Sequence, residues 1–125
     1  MDGKKILAVD DERHMLRLIE YNLSSSGYEV VTASNGSEAL EKALNEKPDL
    51  ILLDIKMPGM DGYEVCRELK NNPATSQIPI IFVSVMADDE KTKALGASSY
   101  ILKPFSPDVL LKEIREVMGE AVTAG

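Results

Sequence analysis

Five short apolar runs punctuate the chain, at residues 6–9, 30–32, 50–53, 78–83 and 100–102. Each is too short for a helix and lacks the in–out alternation of a half-wet sheet, so each reads as a strand covered on both faces. Between the runs the apolar spacing becomes helical. From about Glu12, the residues Met15, Leu16, Ile19 and Leu23 share one face, and Gly27 suits a left-handed cap beyond it. Ser37 opens a second helix with Leu40, Ala43 and Leu44 inward, closed before Pro48 because a residue preceding proline avoids helical angles. A third follows Gly62, turns Val65, Cys66 and Leu69 inward and ends near Pro73. Pro107 begins the last, whose buried stripe is Leu110, Leu111, Ile114 and Val117.

Strand and helix therefore alternate five times. Their product is an α/β fold: a doubly wound five-stranded parallel sheet with helices on both faces. Right-handed crossovers restrict the arrangement, and ligands in such sheets gather at the carboxyl ends of the strands near a switch in strand order. The 125 residues suit one domain, taken as residues 1–119, with residues 120–125 a flexible tail or the start of a linker.

Composition narrows the function. A net charge of −7 and the absence of any dense Lys/Arg run argue against nucleic-acid binding by this segment. No apolar stretch is long enough to span a bilayer, and the acidic residues close to the first apolar run do not fit a secretion signal, so a cytoplasmic location is expected. The one cysteine, Cys66, excludes an intrachain disulfide and reads as a buried thiol. His14 has no histidine or cysteine partner and reads as exposed.

The chemistry collects at the strand ends. Asp10 and Asp11 follow the first run, Asp54 the third, Ser84 the fourth and Lys103 the fifth. Three carboxylates at one edge repel one another unless a cation joins them, and oxygen donors without histidine or thiolate select Mg²⁺ or a similar ion. A lysine and a hydroxyl beside them supply what holds a phosphoryl group. Taken singly, Asp11 also reads as a helix cap, Ser84 as a strand-end hydroxyl and Lys103 as a solvated lysine; only the set points to phosphate chemistry. Asp61-Gly62 reads as a turn and helix start, and Asp88, Asp89 and Glu90 as the solvated start of the fourth helix.

The segments VDDE (9–12), LLDIKMPGMDG (52–62), VSV (83–85) and GASSYILKPF (96–105) resemble, in order and over nearly the whole chain, the receiver domain of two-component response regulators. That resemblance implies the flavodoxin-like (βα)5 fold with strand order 2-1-3-4-5. It makes Asp54 the phosphoacceptor and implies Mg²⁺ ligation by Asp11, Asp54 and the Lys56 backbone carbonyl, with Asp10 acting through water. Lys103 and Ser84 would contact the phosphoryl oxygens, and Lys103-Pro104 would be a cis peptide. The expected phosphodonor is a phosphohistidine on a sensor kinase or phosphotransfer protein, the receiver catalysing its own phosphorylation and dephosphorylation. Ser84 and Tyr100 would form the switch, altering the face of the fourth helix, fifth strand and fifth helix for an output domain, a downstream protein or a second copy.

Two departures stand out. Nineteen positions separate Ser84 from Lys103, about one helical turn fewer than the family pattern, so a stunted fourth helix is expected over residues 88–95, with atypical partner choice. Val85 stands where the family usually has alanine or glycine and is expected, with Lys56, to narrow access to Asp54 and slow dephosphorylation. Among alternatives, a haloacid-dehalogenase-type phosphatase wants a second aspartate where Lys56 stands, and clustered acids repel the phosphate of a flavin nucleotide. A degenerate receiver acting as a phosphorylation-independent interaction module usually lacks part of the acid and lysine set, which is complete here.

Overall fold

The computed structural model describes residues 3–86 and 88–119; the expected tail at 120–125 lies outside them. Ten elements alternate without interruption: β1 (Lys5–Val9), α1 (Arg13–Ser24), β2 (Glu29–Ala33), α2 (Gly36–Glu46), β3 (Leu50–Leu53), α3 (Gly62–Asn71), β4 (Ile80–Ser84), α4 (Asp89–Ala94), β5 (Ser99–Leu102) and α5 (Pro107–Met118). All strand pairs are parallel and the sheet order is β2-β1-β3-β4-β5, as expected.

Because successive strand residues point to opposite faces, the apolar runs divide between two cores. Leu7, Val9, Ile51, Leu53, Ile80 and Phe82 pack with Ala39 and Ala43 of α2 and Val65, Cys66 and Leu69 of α3. On the other face, Ile6, Ala8, Leu50, Leu52, Ile81, Val83 and Ile101 meet Leu16, Ile19 and Leu23 of α1 and Leu110 and Ile114 of α5. Burial on both sides is why the inner strands β1, β3 and β4 are almost wholly apolar, whereas β2 and β5, at the sheet edges, carry Glu29, Thr32 and Ser99 and are covered less fully than the sequence pattern implied.

The helix ends follow their local chemistry. Beyond α1, the Gly27 amide donates to Ser24 O and the Tyr28 amide to Leu23 O, a closure that needs the left-handed φ of 94° at Gly27. Lys47 leaves the right-handed helix at φ 49° ahead of Pro48. Pro107 sits in the first turn of α5 behind its Ser106 cap. The fourth helix has six residues against ten to twelve in the others, begun by Asp88, which caps the Lys91 amide at 3.0 Å, and carrying Asp89 and Glu90 in its first turn.

Three expectations need correction. Leu44 is not inward but 43 % exposed, because it lies a third of a turn past Ala43, which already faces the sheet. The second helix is capped by Asn35 rather than opened by Ser37. The fourth strand begins at Ile80, not residue 78: Pro79 has no amide to give a ladder and contributes only its carbonyl, to Ile51 N at 3.0 Å.

Candidate functional site

Strand order fixes where the site lies. From β1 the chain moves to β2 on one side and later returns to β3 on the other, opening a crevice at the carboxyl ends of these two strands. Val9 and Leu53 are in register, so Asp10 and Asp54, the next residue on each, emerge side by side. Backbone bonds hold both: Asp54 N donates to Val9 O at 3.0 Å, and Asp10 N to Ala33 O at 3.1 Å. Across the crevice, Lys103 N donates to Ser84 O at 2.9 Å, tying the ends of β4 and β5 together, and the Lys103-Pro104 peptide is cis.

Asp10, Asp11 and Asp54 each offer a carboxylate oxygen within 4.8 Å of the others. Lys103 Nζ reaches Asp10 Oδ2 at 2.8 Å and Asp54 Oδ2 at 3.6 Å. Asp10 is 1 % exposed and its other oxygen accepts from Glu12 N at 2.8 Å, so it sits beneath the site, held by the lysine. Asp54 is 6 % exposed, whereas Asp11 is open to solvent. A cavity of about 260 Å³ is lined by Asp11, Glu12, Asp54, Lys56, Ser84, Val85 and Lys103.

Burial, and next the negative charge of Asp10, pushes the Asp54 carboxyl up to about 6; Lys103 opposes this, Asp11 adds to it, and a hydrogen bond from the Ile55 amide opposes it slightly. For Lys103, burial alone would lower the ammonium, but the bond and charge of Asp10, together with Asp54 and Glu12, outweigh it and hold it above the ordinary lysine value. Three carboxylates thus face one ammonium, an imbalance of two charges that a divalent ion would cancel. All the clustered donors are hard oxygens, which fits Mg²⁺ and not a thiolate- or imidazole-seeking metal.

Of the residues read from the strand ends, Asp11, Asp54, Ser84 and Lys103 line the pocket with Asp10 below, and Lys56 and Val85, named from the resemblance, line it too. Asp11 does not cap α1; Glu12 takes the cap position without a side-chain bond. Tyr100 is not among the pocket residues: it is half-buried on β5 against the core on the α3 side. Two residues were missed. Glu12 lines the cavity and adds its charge to the field at Lys103, and its place within VDDE was the available signal. Gly62 lies against the Asp54 backbone, a contact with no mark in the sequence beyond the glycine itself.

Known proteins share this fold and much of this sequence. The family model described as the response regulator receiver domain matches residues 6–115. The alkaline phosphatase synthesis transcriptional regulatory protein PhoP of Bacillus subtilis is 45 % identical over 120 residues, 93 % of this chain and 49 % of that protein. A probable transcriptional regulator, ycf27, of Cyanophora paradoxa is 48 % identical over 121 residues, 94 % of this chain and 49 % of its own length. This chain thus spans about half the length of these curated relatives. Among solved structures, the Vibrio cholerae chemotaxis protein CheY4 superposes with a TM-score of 0.87 at 36 % identity, covering 92 % of this chain and 98 % of that one.

Proposed function

This chain belongs to the response regulator receiver domain family, and we propose that it accepts a phosphoryl group on Asp54 from a phosphohistidine of a sensor kinase or phosphotransfer protein. The observation that carries the reading is the meeting of Asp10, Asp11 and Asp54 with the Lys103 ammonium in one pocket, from three separate strand ends.

Asp54 offers an oxygen for in-line attack on phosphorus; its bond to phosphorus forms as the phosphorus–nitrogen bond breaks and the imidazole leaves. Lys103, already 3.6 Å from Asp54 Oδ2, stabilises charge on the phosphoryl oxygens, and Ser84 donates to one of them. Asp11, Asp54 and the Lys56 carbonyl would hold Mg²⁺, with Asp10 acting through water and through its grip on Lys103. When bound, the ion would supply positive charge to offset the clustered carboxylates and the charge developing on the phosphoryl oxygens. Hydrolysis of the acyl phosphate at the same site returns the domain to rest, so the chain works as a signalling switch that catalyses its own turnover.

The output follows from differential contacts: Ser84 and Lys103 bind the phosphoryl group only when it is present, and Tyr100 shifts with them on β5. The six-residue α4 offers little surface, so partner recognition leans on the flanking strand and helix. Relatives twice as long and described as transcriptional regulators suggest that an output domain or downstream protein reads the change, with a homodimer as another means. Chemical-shift mapping with the partner would place its contacts off α4, and a footprint centred on α4 would contradict this.

The test is incubation with Mg²⁺ and a small phosphoramidate donor, read by intact mass. Wild type gains one phosphoryl group and Asp54→Ala gains none; equal labelling of the two would refute the assignment.

A further inference from the structure

Gly62, the first residue of α3, sits closer to the reacting carboxylate's backbone than any side chain allows. A methyl group there would lie 2.2 Å from the Asp54 carbonyl oxygen, 2.7 Å from Ile55 Cα and 2.9 Å from the Asp54 carbonyl carbon. These are all main-chain atoms with no flexible end to swing away. The Gly62 amide also donates to Ile55 O at 2.7 Å, fixing the peptide that precedes Lys56. The helix end is itself locked: Asp61 Oδ1 accepts from Glu64 N at 3.0 Å, while Glu64 Oε1 accepts from Asp61 N at 3.1 Å. On its other side, the Asp54 backbone is pinned to β1 through Val9 O.

A second crowded glycine gives the contrast. A methyl at Gly36 would meet Met60 Cβ at 2.9 Å, Val65 Cγ2 at 3.0 Å and Met60 Sδ at 3.1 Å, a milder overlap that presses on the loop before α3 and on Val65 and touches no main-chain atom of Asp54 or Ile55. At Gly62 the strand end itself must yield, by about an ångström to restore ordinary contact.

We infer that Gly62 is a positioning residue for phosphoryl acceptance: by seating the capped end of α3 directly on the Asp54–Ile55 backbone, it sets the Asp54 carboxylate and the Lys56 carbonyl at the spacing that one divalent ion and an in-line phosphorus require. The inference rests on the assignment of Asp54 as acceptor. A misplacement of this size can cost about a hundredfold in rate.

The test compares wild type, Gly62→Ala and Gly36→Ala, with Mg²⁺ affinity read by calorimetry, phosphoramidate labelling by intact mass, and folding by circular dichroism. Gly62→Ala is expected to label at least about tenfold more slowly and to bind Mg²⁺ at least about tenfold more weakly, while Gly36→Ala stays within about twofold of wild type on both. A second pair avoids crowding altogether. Glu64→Gln removes a charge but keeps an acceptor for the Asp61 amide, whereas Glu64→Ala loses the bond and loosens the seat. Only the alanine variant should weaken Mg²⁺ binding. Should wild type itself fail to label, the acceptor assignment fails; should wild type label and Gly62→Ala match it, or should the two Glu64 variants behave alike, the positioning role is overturned.

Discussion

Two lysines of this domain, one just past β5 and one in the last turn of α3, reach opposite ends of the same sheet and meet opposite fates. Lys103, at the carboxyl edge, faces Asp10 and Asp54, and its ammonium is held above the usual value. Lys70, at the amino edge, donates to the carbonyls of Ser76 at 3.1 Å and Ile78 at 2.9 Å, and burial draws its ammonium below the usual value. The turn that follows α3 matches its polar groups to neutral partners: buried Thr75 likewise donates its hydroxyl to Leu69 O at 2.7 Å. Around Lys103, by contrast, anionic groups exceed cationic ones, and that surplus is what chemistry can use. A buried lysine alone says little; the sign and number of the charges around it decide whether it binds structure or substrate.

The largest effect should come from removing each lysine in turn. Lys103→Met is predicted to slow phosphoramidate labelling of Asp54 by about a hundredfold or more, the cost of losing one fixed donor to a developing charge. Without Mg²⁺ at neutral pH it should also cost about 3 kcal/mol, because Asp10 and Asp54 lose their common cation in a buried place. Lys70→Met is predicted to cost about 1 kcal/mol and leave labelling unchanged, since it frees two partly buried carbonyls remote from the carboxyl edge. Denaturant melts and labelling time courses check both, and an equal loss of labelling in the two variants would erase the distinction.

Next in size is the penalty for ionising Asp54, set first by its burial and then by the charge of Asp10. The Asp54 carboxyl stands near 6 in the folded protein against an ordinary 3.8, so the folded state resists its ionisation. The resulting penalty is absent below pH 3.8, grows as pH rises toward 6 and is complete above it. Asp54→Asn should therefore stabilise the Mg²⁺-free domain at pH 7.5, by about 1 to 2 kcal/mol after allowance for solvent, and the gain should vanish near pH 4. Protons compete with the ion for the same oxygens, so Mg²⁺ affinity should fall about tenfold per pH unit below 6. Melts of both proteins across pH 4 to 8, with calorimetric Mg²⁺ titrations of the wild type, would expose a flat response, which would mean that burial and Asp10 do not hold the Asp54 carboxyl above its ordinary value.

Much of this was legible in the sequence because apolar runs buried on both faces declare strands, and strand ends in a parallel sheet declare an edge. Asp10, Asp54, Ser84 and Lys103 could be gathered from four distant segments on that argument alone. Less legible were features set by packing in three dimensions. Leu44 reads as core by hydrophobicity, yet Ala43 already occupies the inward direction and Leu44 is left at the rim of a groove with Leu40 and Pro73. Gly62 reads as an ordinary turn glycine because the atoms that crowd it belong to residues 54 and 55, brought there only by the crossover from β3 to α3. The amino-edge network is silent in sequence for a related reason: Lys70 and Thr75 bond backbone carbonyls, which every residue carries.

A smaller effect tests the amino edge. Thr75→Val keeps the shape of the side chain while leaving Leu69 O without its hydroxyl partner at a site 1 % exposed. The expected cost is about 1 kcal/mol, with phosphoramidate labelling and Mg²⁺ affinity both unchanged. A loss of Mg²⁺ affinity would mean that the two edges are coupled through the sheet and that the contrast between them is too simple.

The smallest effect concerns the rim of the carboxyl-edge pocket. Val85 is 60 % exposed and lines the cavity with Lys56 and Asp54, so it belongs to the rim of the pocket and not to the core, and we propose that it narrows the approach to a phosphoryl group on Asp54. Hydrolysis needs a water on the face of phosphorus opposite Asp54, and a branched side chain with a stiff first torsion keeps part of that face covered. Val85→Ala opens it without touching the charges that hold the phosphoryl group, so labelling should proceed as in wild type while the phosphoryl lifetime shortens about two- to fivefold, a barrier change of up to about 1 kcal/mol. Leu44→Ala, an exposed apolar truncation remote from this pocket, should leave the lifetime unchanged. Lifetimes read by intact mass after removal of the donor decide the matter: if Val85→Ala and wild type decay together, the rim does not gate the water, and the slow step lies with the charges beneath it.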